Sequence, residues 1–179
     1  MSDYFTRGYC FYHSYHKDET NKAIHVLCVW PILLTFLYLL CLNTDEVMYT
    51  PTALVDYGIE FDWGCVVAIV YIVFYLVIEQ PGVVGITAAA MVAAGLYYSN
   101  ALVNTGANYW REATIMNVSC WIAQFYGHYA HEGRSPALLD NLVQAFLFAP
   151  LFVLLEIFFA IFNYKPALQA LSHADGKVE

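Results

Sequence analysis

The side chains best suited to chemistry in this sequence are histidines, and they gather in two places. Five of the six histidines lie in two patches, His13, His16 and His25 in the first and His128 and His131 in the second. The second patch also contains Glu132. Two histidines and one carboxylate around open coordination positions are typical of ferrous iron and oxygen chemistry. The two patches therefore predict a metal site, provided that the fold brings them together.

The spacing around His128 predicts that several polar side chains share one face of a helix. Gln124 lies one turn before His128 and Glu132 one turn after it, with His131 at the i+3 position. Glu132 is thus placed to join His128 around one ion or to orient its ring. Zinc is the competing metal, although such a site would contain no thiolate. A single histidine near a membrane surface is more often a surface residue, whereas two patches at one membrane face favour a functional site.

The elements that must position these histidines are long apolar stretches. Hydrophobic residues make up 60% of the 179 residues and charged residues 12%, against about a quarter in a typical soluble domain. A helix needs about 20 apolar residues to cross a bilayer. Four stretches approach that length, 23–42, 65–78, 82–103 and 142–162, and a weaker one covers 113–127. We predict an all-α, multi-pass transmembrane helical bundle of four to five spans, forming a single membrane-embedded domain over residues 1–179.

The positive charges predict the orientation of this bundle. Arg7, Lys17 and Lys22 precede the first span, whereas residues 43–60 contain acids and no base. The positive-inside rule therefore places residues 1–22 in the cytosol. Five crossings would put the 128–141 loop on the same side. A re-entrant last segment, bent at Pro150, would place the polar tail 168–179 there as well, and the sequence leaves both arrangements open.

Other classes of function are excluded or weakened by what the sequence lacks. No phosphate-binding loop, nucleophile elbow or dinucleotide fingerprint occurs, and there is no basic stripe. The net charge of -8 argues against a nucleic acid partner. The five cysteines are scattered without metal-binding spacing and are interpreted as small apolar fillers. Asp140 and Asn141 are interpreted as helix caps.

Two motifs resemble a known family. SYHKDETNKAIHVLCVWPIL near the N-terminus and WIAQFYGHYAHEGRSPALLDNLVQAFLFAPLFVLLE near the C-terminus are similar to the yeast-type 2-hydroxy fatty acid dioxygenases, which are small multi-pass proteins of the endoplasmic reticulum membrane. The resemblance covers most of the chain, whereas residues 43–110 match only in character. It implies an iron(II)-dependent enzyme of fatty acid alpha-oxidation, which uses O2 to shorten a long-chain 2-hydroxy fatty acid by one carbon with release of CO2, in phytosphingosine breakdown.

The resemblance also implies a set of site residues. His16, His25 and His128 fall on family histidine positions and Glu132 on the family acid, whereas His13 and His131 do not match. We expect the three histidines to bind Fe(2+), with Glu132 as a fourth ligand or as an acceptor that fixes a ring tautomer. Arg134 could pair with the substrate carboxylate, or serve only as a charge on the cytosolic side. The acyl chain would lie among the spans, where the small residues between 82 and 95 favour close packing over a tunnel.

A second class of function stays open at this point. A non-catalytic membrane scaffold or lipid-binding protein could use the same histidines structurally, or to hold zinc. A transporter would need charged residues paired deep inside the spans, and Glu156 is the one candidate there. Metal analysis separates the enzyme from the scaffold, because stoichiometric iron favours the former.

Overall fold

All regular structure in the described part of the chain is helical, which confirms the predicted all-α class. The computed structural model describes residues 3–42, 49–78, 82–106, 108–136, 142 and 144–162. Its α-helices are α1 (Asp3–Tyr15), α2 (Glu19–Cys41), α3 (Thr52–Val55), α4 (Trp63–Ile78), α5 (Val83–Asn104), α6 (Trp110–Gly127) and α7 (Ala149–Phe162). Two π-helical segments, π1 (His128–Glu132) and π2 (Gln144–Phe148), follow α6 and precede α7. Asp140, Asn141 and the tail 168–179, for which caps and a polar end were predicted, lie outside the described residues.

Three helices among the described residues are long and apolar enough to cross a membrane. They are Glu19–Cys41, Val83–Asn104 and the combined helix Ala145–Phe162. The apolar helix α4 has 16 residues, which at 1.5 Å per residue span about 24 Å, short of the roughly 30 Å hydrocarbon core. α6 has 18 residues, but its composition is mixed. These lengths and compositions indicate membrane association.

Helix α2 occupies the centre of the bundle and packs against α4, α5, α6 and α7. It begins at Asp18, whose carboxylate accepts hydrogen bonds from the backbone N–H groups of Thr20 at 2.8 Å and Asn21 at 3.1 Å. These bonds satisfy two of the free donors of the first turn. Val29, Leu33 and Leu37, one turn apart, are buried against the neighbouring helices. The apolar stripe of α2 is therefore the core around which the other helices are arranged.

Helices α4 and α6 run antiparallel to α2. The end of α2 meets the start of α4, where the Cys41 thiol lies 4.0 Å from the Asp62 carboxylate. The middle of α6 meets the middle of α2, since the Asn117 side chain donates to the Ile32 carbonyl at 3.0 Å. The far ends of α4 and α6 therefore lie at the end of the bundle where α2 begins.

Helix α7 runs in the same direction as α6, although the two follow one another in the sequence. The Tyr71 hydroxyl of α4 donates to the Phe146 carbonyl at 2.9 Å. Two turns further on, the Phe152 ring lies 5.4 Å from that of Tyr12, beside the start of α2. α7 thus rises from the middle of the bundle towards the beginning of α2. Pro150 lies inside the continuous helix Ala145–Phe162, so the predicted hairpin bend at Pro150 does not occur.

Candidate metal centre

Three histidines from the two sequence patches meet inside the bundle. His16 lies between α1 and α2, His25 lies on the second turn of α2, and His128 begins π1. Each side chain is buried, with 4%, 3% and 3% of its surface exposed. Each offers one nitrogen, and these three nitrogens all lie within 4.8 Å of one another. The antiparallel packing of α2 and α6 is what joins the two patches.

Backbone hydrogen bonds define the tautomer of two of these rings. His16 Nδ1 lies 2.7 Å from the Tyr12 carbonyl and His25 Nδ1 lies 2.9 Å from the Asn21 carbonyl. A carbonyl oxygen can only accept, so both Nδ1 atoms carry the proton. The lone pairs are therefore on Nε2 of both rings. A carbonyl partner behind the ring is the usual arrangement for a metal-binding histidine.

The ring nitrogens that have no hydrogen-bond partner fit a metal ion. His16 Nε2 and His128 Nδ1 are buried and have no hydrogen-bond partner. A buried polar atom without a partner costs about 1–3 kcal/mol, which native structures rarely accept without a reason. A divalent ion bound by these nitrogens would remove that cost. Three imidazole nitrogens suit iron and zinc alike.

Burial also keeps two of these rings in the form that binds metal. Desolvation, followed by the repulsion of a charge on His25, lowers the pKa of His16 to about 2. Desolvation likewise lowers the pKa of His128 below its usual value. Both rings are therefore neutral at physiological pH, with lone pairs free to coordinate.

Glycines on either side of π1 allow the chain to bring His128 to the cluster. A Cβ atom on Gly127 would lie 2.5 Å from Asn21 Oδ1, so a larger residue would force the Asn21 side chain or the two helices to shift. Gly133 ends π1 with a φ of 64°, in the left-handed region that favours glycine. Isolated π-helical turns within α-helices occur frequently at functional sites.

Glu132 contacts the turn beside His16 and lies outside the group of three clustered ligand nitrogens. Its Oε1 accepts hydrogen bonds from the N–H groups of Lys17 at 2.7 Å and Asp18 at 2.9 Å, and from Asn21 Nδ2 at 3.0 Å. Burial raises the pKa of Glu132, but these three donors outweigh it and hold the pKa below the usual value. The π turn aims this carboxylate at the α1–α2 connection, whereas the helical spacing predicted that it would share a face with His128.

Arg134 is also directed at the N-terminal segment. Its guanidinium carbon lies 3.4 Å from the centre of the Tyr15 ring, and Nη1 donates to the Ser14 carbonyl at 3.1 Å. Arg134 does not line the cavity described below. Together with Glu132, it holds the end of α1 and the following turn against the start of π1.

His13 and His131 lie outside the cluster. The His13 ring is exposed and stacks on Tyr9 at 6.1 Å. His131 Nδ1 lies 3.4 Å from the Asp18 carboxylate, and its ring packs edge-on against Tyr126. The structure therefore separates the two histidines that do not match the family pattern from the three that do.

The three clustered histidines line a cavity of about 430 Å³ bounded by α1, α2, α6 and the α7 region. Its remaining walls are mainly aliphatic and aromatic. Gln124, one turn before His128, is one of its few polar residues. Tyr12 lines it as well, and its ring stacks on that of His16 with centroids 4.0 Å apart. We did not place Tyr12 at the site from the sequence, although its i−4 position relative to His16 was the available signal.

The fold and the site together define an apolar helical-bundle protein with a buried three-histidine cluster at a hydrophobic cavity. The family profile described as "2-hydroxy-palmitic acid dioxygenase Mpo1-like" matches residues 2–161, and the chain belongs to this family. A curated relative, the 2-hydroxy-palmitic acid dioxygenase MPO1 of Saccharomyces cerevisiae, is 28% identical over 171 residues, covering 94% of this chain and 87% of the relative. No solved structure matches the chain. The resemblance drawn from the sequence motifs is thereby confirmed.

Proposed function

We propose that this protein is an iron(II)-dependent dioxygenase of fatty acid alpha-oxidation. The reaction consumes a long-chain 2-hydroxy fatty acid and O2, breaks the bond between the carboxyl carbon and its neighbour, and yields the one-carbon-shorter acid, CO2 and water. The observation that carries the proposal is a buried set of three imidazole nitrogens at the wall of an apolar cavity. The name of the yeast relative supports the reaction class.

His16, His25 and His128 would hold the iron. Ferrous iron at this site would supply a Lewis acid and an electron donor, with positions left open for reactants. The protein itself would orient the ligand rings and exclude water. The Tyr12 and Asn21 carbonyls orient two of the rings, and burial of the cluster excludes water from the reacting carbons.

Two polar residues would complete the site. Gln124 lines the cavity one turn before His128, where its amide N–H can donate to the substrate carboxylate. Glu132 would act through the turn it holds, which positions His16, in preference to the role of fourth ligand. Arg134 would reach a substrate carboxylate only by leaving the Tyr15 ring and the Ser14 carbonyl.

The cellular setting is part of the same proposal. The apolar helices favour a lipid bilayer, and the resemblance points to the endoplasmic reticulum and to phytosphingosine breakdown. The cytosolic position of the N-terminus depends on the positive charges that precede α2.

Purified protein reconstituted with ferrous iron tests the proposal. A long-chain 2-hydroxy acid should then release CO2 and consume O2 in equal amounts, and metal analysis should find stoichiometric iron. His16→Ala and His128→Ala should each abolish turnover. His131→Ala is the matched control, because this ring lies outside the cluster, and it should keep its activity. Full turnover after metal removal, or in both cluster variants, would refute the iron reaction.

The alternative is a lipid-binding or scaffold protein that holds zinc. The observation that favours it is the donor set itself, since three histidines also form zinc sites. Stoichiometric zinc in protein purified without added metal, together with an absence of O2 consumption when iron replaces it, would establish this alternative.

A further inference from the structure

The cavity at the histidine cluster is elongated, and its length can be read from the helices that line it. On α2 the lining residues include His25, Val29 and Phe36. Phe36 follows His25 by eleven residues, which at a rise of 1.5 Å per residue is about 16 Å along the axis. On α6, Asn117 precedes His128 by the same interval and also lines the cavity. Both walls therefore extend about three turns from the cluster.

The interior between these ends is mainly apolar, and its polar side chains Asn117 and Tyr71 donate to other protein groups. Asn117 Nδ2 donates to the Ile32 carbonyl at 3.0 Å and to the Thr35 hydroxyl at 2.9 Å. The Tyr71 hydroxyl donates to the Phe146 carbonyl at 2.9 Å. The groups left to bind a polar ligand lie at the histidine end, and the rest of the cavity suits hydrocarbon.

The geometry points to this cavity as the binding site of the substrate acyl chain, with the head group at the histidines and the chain ending beside Phe36 and Asn117. The inference depends on the proposed function for the identity of the head group. Aliphatic C–C bonds of about 1.5 Å advance an extended chain by about 1.3 Å per carbon, so 16 Å holds roughly 12 carbons. A methylene takes about as much room as a water molecule, roughly 30 Å³, so the volume holds roughly 14. The length and the volume of the cavity thus agree on a long chain.

The exposure of three phenylalanines that line the cavity indicates that it opens at its side. Phe36, Phe125 and Phe146 belong to α2, α6 and π2, line the cavity, and are 46%, 43% and 44% exposed. The neighbouring residue Ile122 on α6 is also exposed and apolar. The opening therefore lies on an apolar surface, through which an acyl chain can pass directly from the bilayer and through which carbons beyond the cavity length can extend.

Photolabelling tests the position and direction of the chain without requiring turnover. The probe is a 2-hydroxy acid with a photoreactive diazirine near the head, at about carbon 5, or near the end, at about carbon 13. Full-length protein in lipid nanodiscs is labelled, and the labelled peptides are mapped by mass spectrometry. The first probe should label residues near Val29 and Phe125, and the second residues near Phe36 and Asn117. An excess of the unlabelled 2-hydroxy acid should suppress both.

The variant Ala145→Trp gives a second test of the acyl-chain site, because Ala145 lines the cavity. Filling the space should lower labelling by the distal probe at least tenfold. Ala160→Trp is the matched control, since Ala160 on α7 is exposed and does not line the cavity, and it should label like the unchanged protein. If Ala145→Trp does not fold, Phe36→Trp at the partly exposed end replaces it.

The outcomes separate this inference from the proposed function. Labelling in the predicted order without O2 consumption would support the acyl-chain binding site and refute the proposed dioxygenase reaction. Turnover with labels in reversed order, or only on outer residues such as Ile115, would overturn the inference. Equal labelling of Ala145→Trp and Ala160→Trp would overturn it as well.

Discussion

Replacing Glu132 tests how the α1–α2 turn supports the metal site. Glu132→Ala removes an oxygen that accepts three hydrogen bonds, from Lys17 N, Asp18 N and Asn21 Nδ2. Hydrogen bonds to a charged group contribute about 1.5–3 kcal/mol each, but water replaces part of this because the side chain is partly exposed. A net loss of about 2–3 kcal/mol is therefore expected. His16 lies directly after α1, at the start of this turn. Because the turn is less stable without these hydrogen bonds, metal binding in Glu132→Ala would have to restore it.

The same free energy then appears as lost metal affinity. At 1.4 kcal/mol per factor of ten, the affinity of Glu132→Ala for iron should fall about 30- to 150-fold. Glu132→Gln keeps a carbonyl acceptor for the two backbone donors and should lose about fivefold, or about 1 kcal/mol. Glu19→Ala is the matched control, because this exposed carboxylate at the start of α2 pairs only with Lys22 among the contacts that the structure shows, and such a pair contributes little.

Metal titration of the metal-free protein measures these affinities, and cobalt absorption reports the ligand set. The spectrum should be the same in the unchanged protein, in Glu132→Gln and in Glu132→Ala at saturating metal. A changed spectrum, with equal losses in both variants, would show that the carboxylate is itself a ligand. An unchanged affinity in Glu132→Ala would refute the positioning role altogether.

Three further predictions concern the packing at Gly127, the protonation of His16 and the question whether His131 is a metal ligand. Gly127→Ala should destabilise the protein by about 1–3 kcal/mol, because its Cβ would meet Asn21 Oδ1; thermal unfolding should show this loss, and Ser119→Ala on the exposed part of α6 should not. The pKa of His16 is lowered to about 2 in the fold, so the unfolded chain binds the extra proton below about pH 6.5, and the metal-free protein should lose up to about 1.4 kcal/mol per pH unit as the pH falls. A melting temperature that stays constant between about pH 7 and 5 would contradict this reasoning. His131→Phe should leave iron stoichiometry unchanged, and loss of iron there would identify His131 as a ligand.

The bundle itself could be predicted from local sequence, but the path of its last helix could not. Apolar runs such as 23–42 predict helices because a chain in lipid must satisfy its own backbone hydrogen bonds. The direction of α7 depends instead on what Phe146 and Phe152 contact, namely Tyr71 in mid-bundle and Tyr12 beside the start of α2. Hydropathy carries no information about such contacts, and so it left the re-entrant arrangement and the simple crossing equally open.

The candidate site, like the fold, could be predicted from the sequence only in part. Residue type and the family pattern selected His16, His25 and His128, because imidazole is a metal ligand wherever it occurs in a sequence. Regular helical spacing could not anticipate π1, whose turn directs Glu132 to the backbone N–H groups of Lys17 and Asp18. Nor could it show that Arg134 stacks on Tyr15.

The sequence by itself therefore indicated the helical class of the fold and a membrane environment, which follow from composition, and the three histidines, which follow from the motifs shared with the family. The tertiary structure decided which side chains face one another. It joined two patches more than a hundred residues apart, left His16 Nε2 and His128 Nδ1 without partners in the interior, and opened a cavity from them towards Phe36. These features depend on the antiparallel packing of α2 and α6, which no local stretch of the chain encodes.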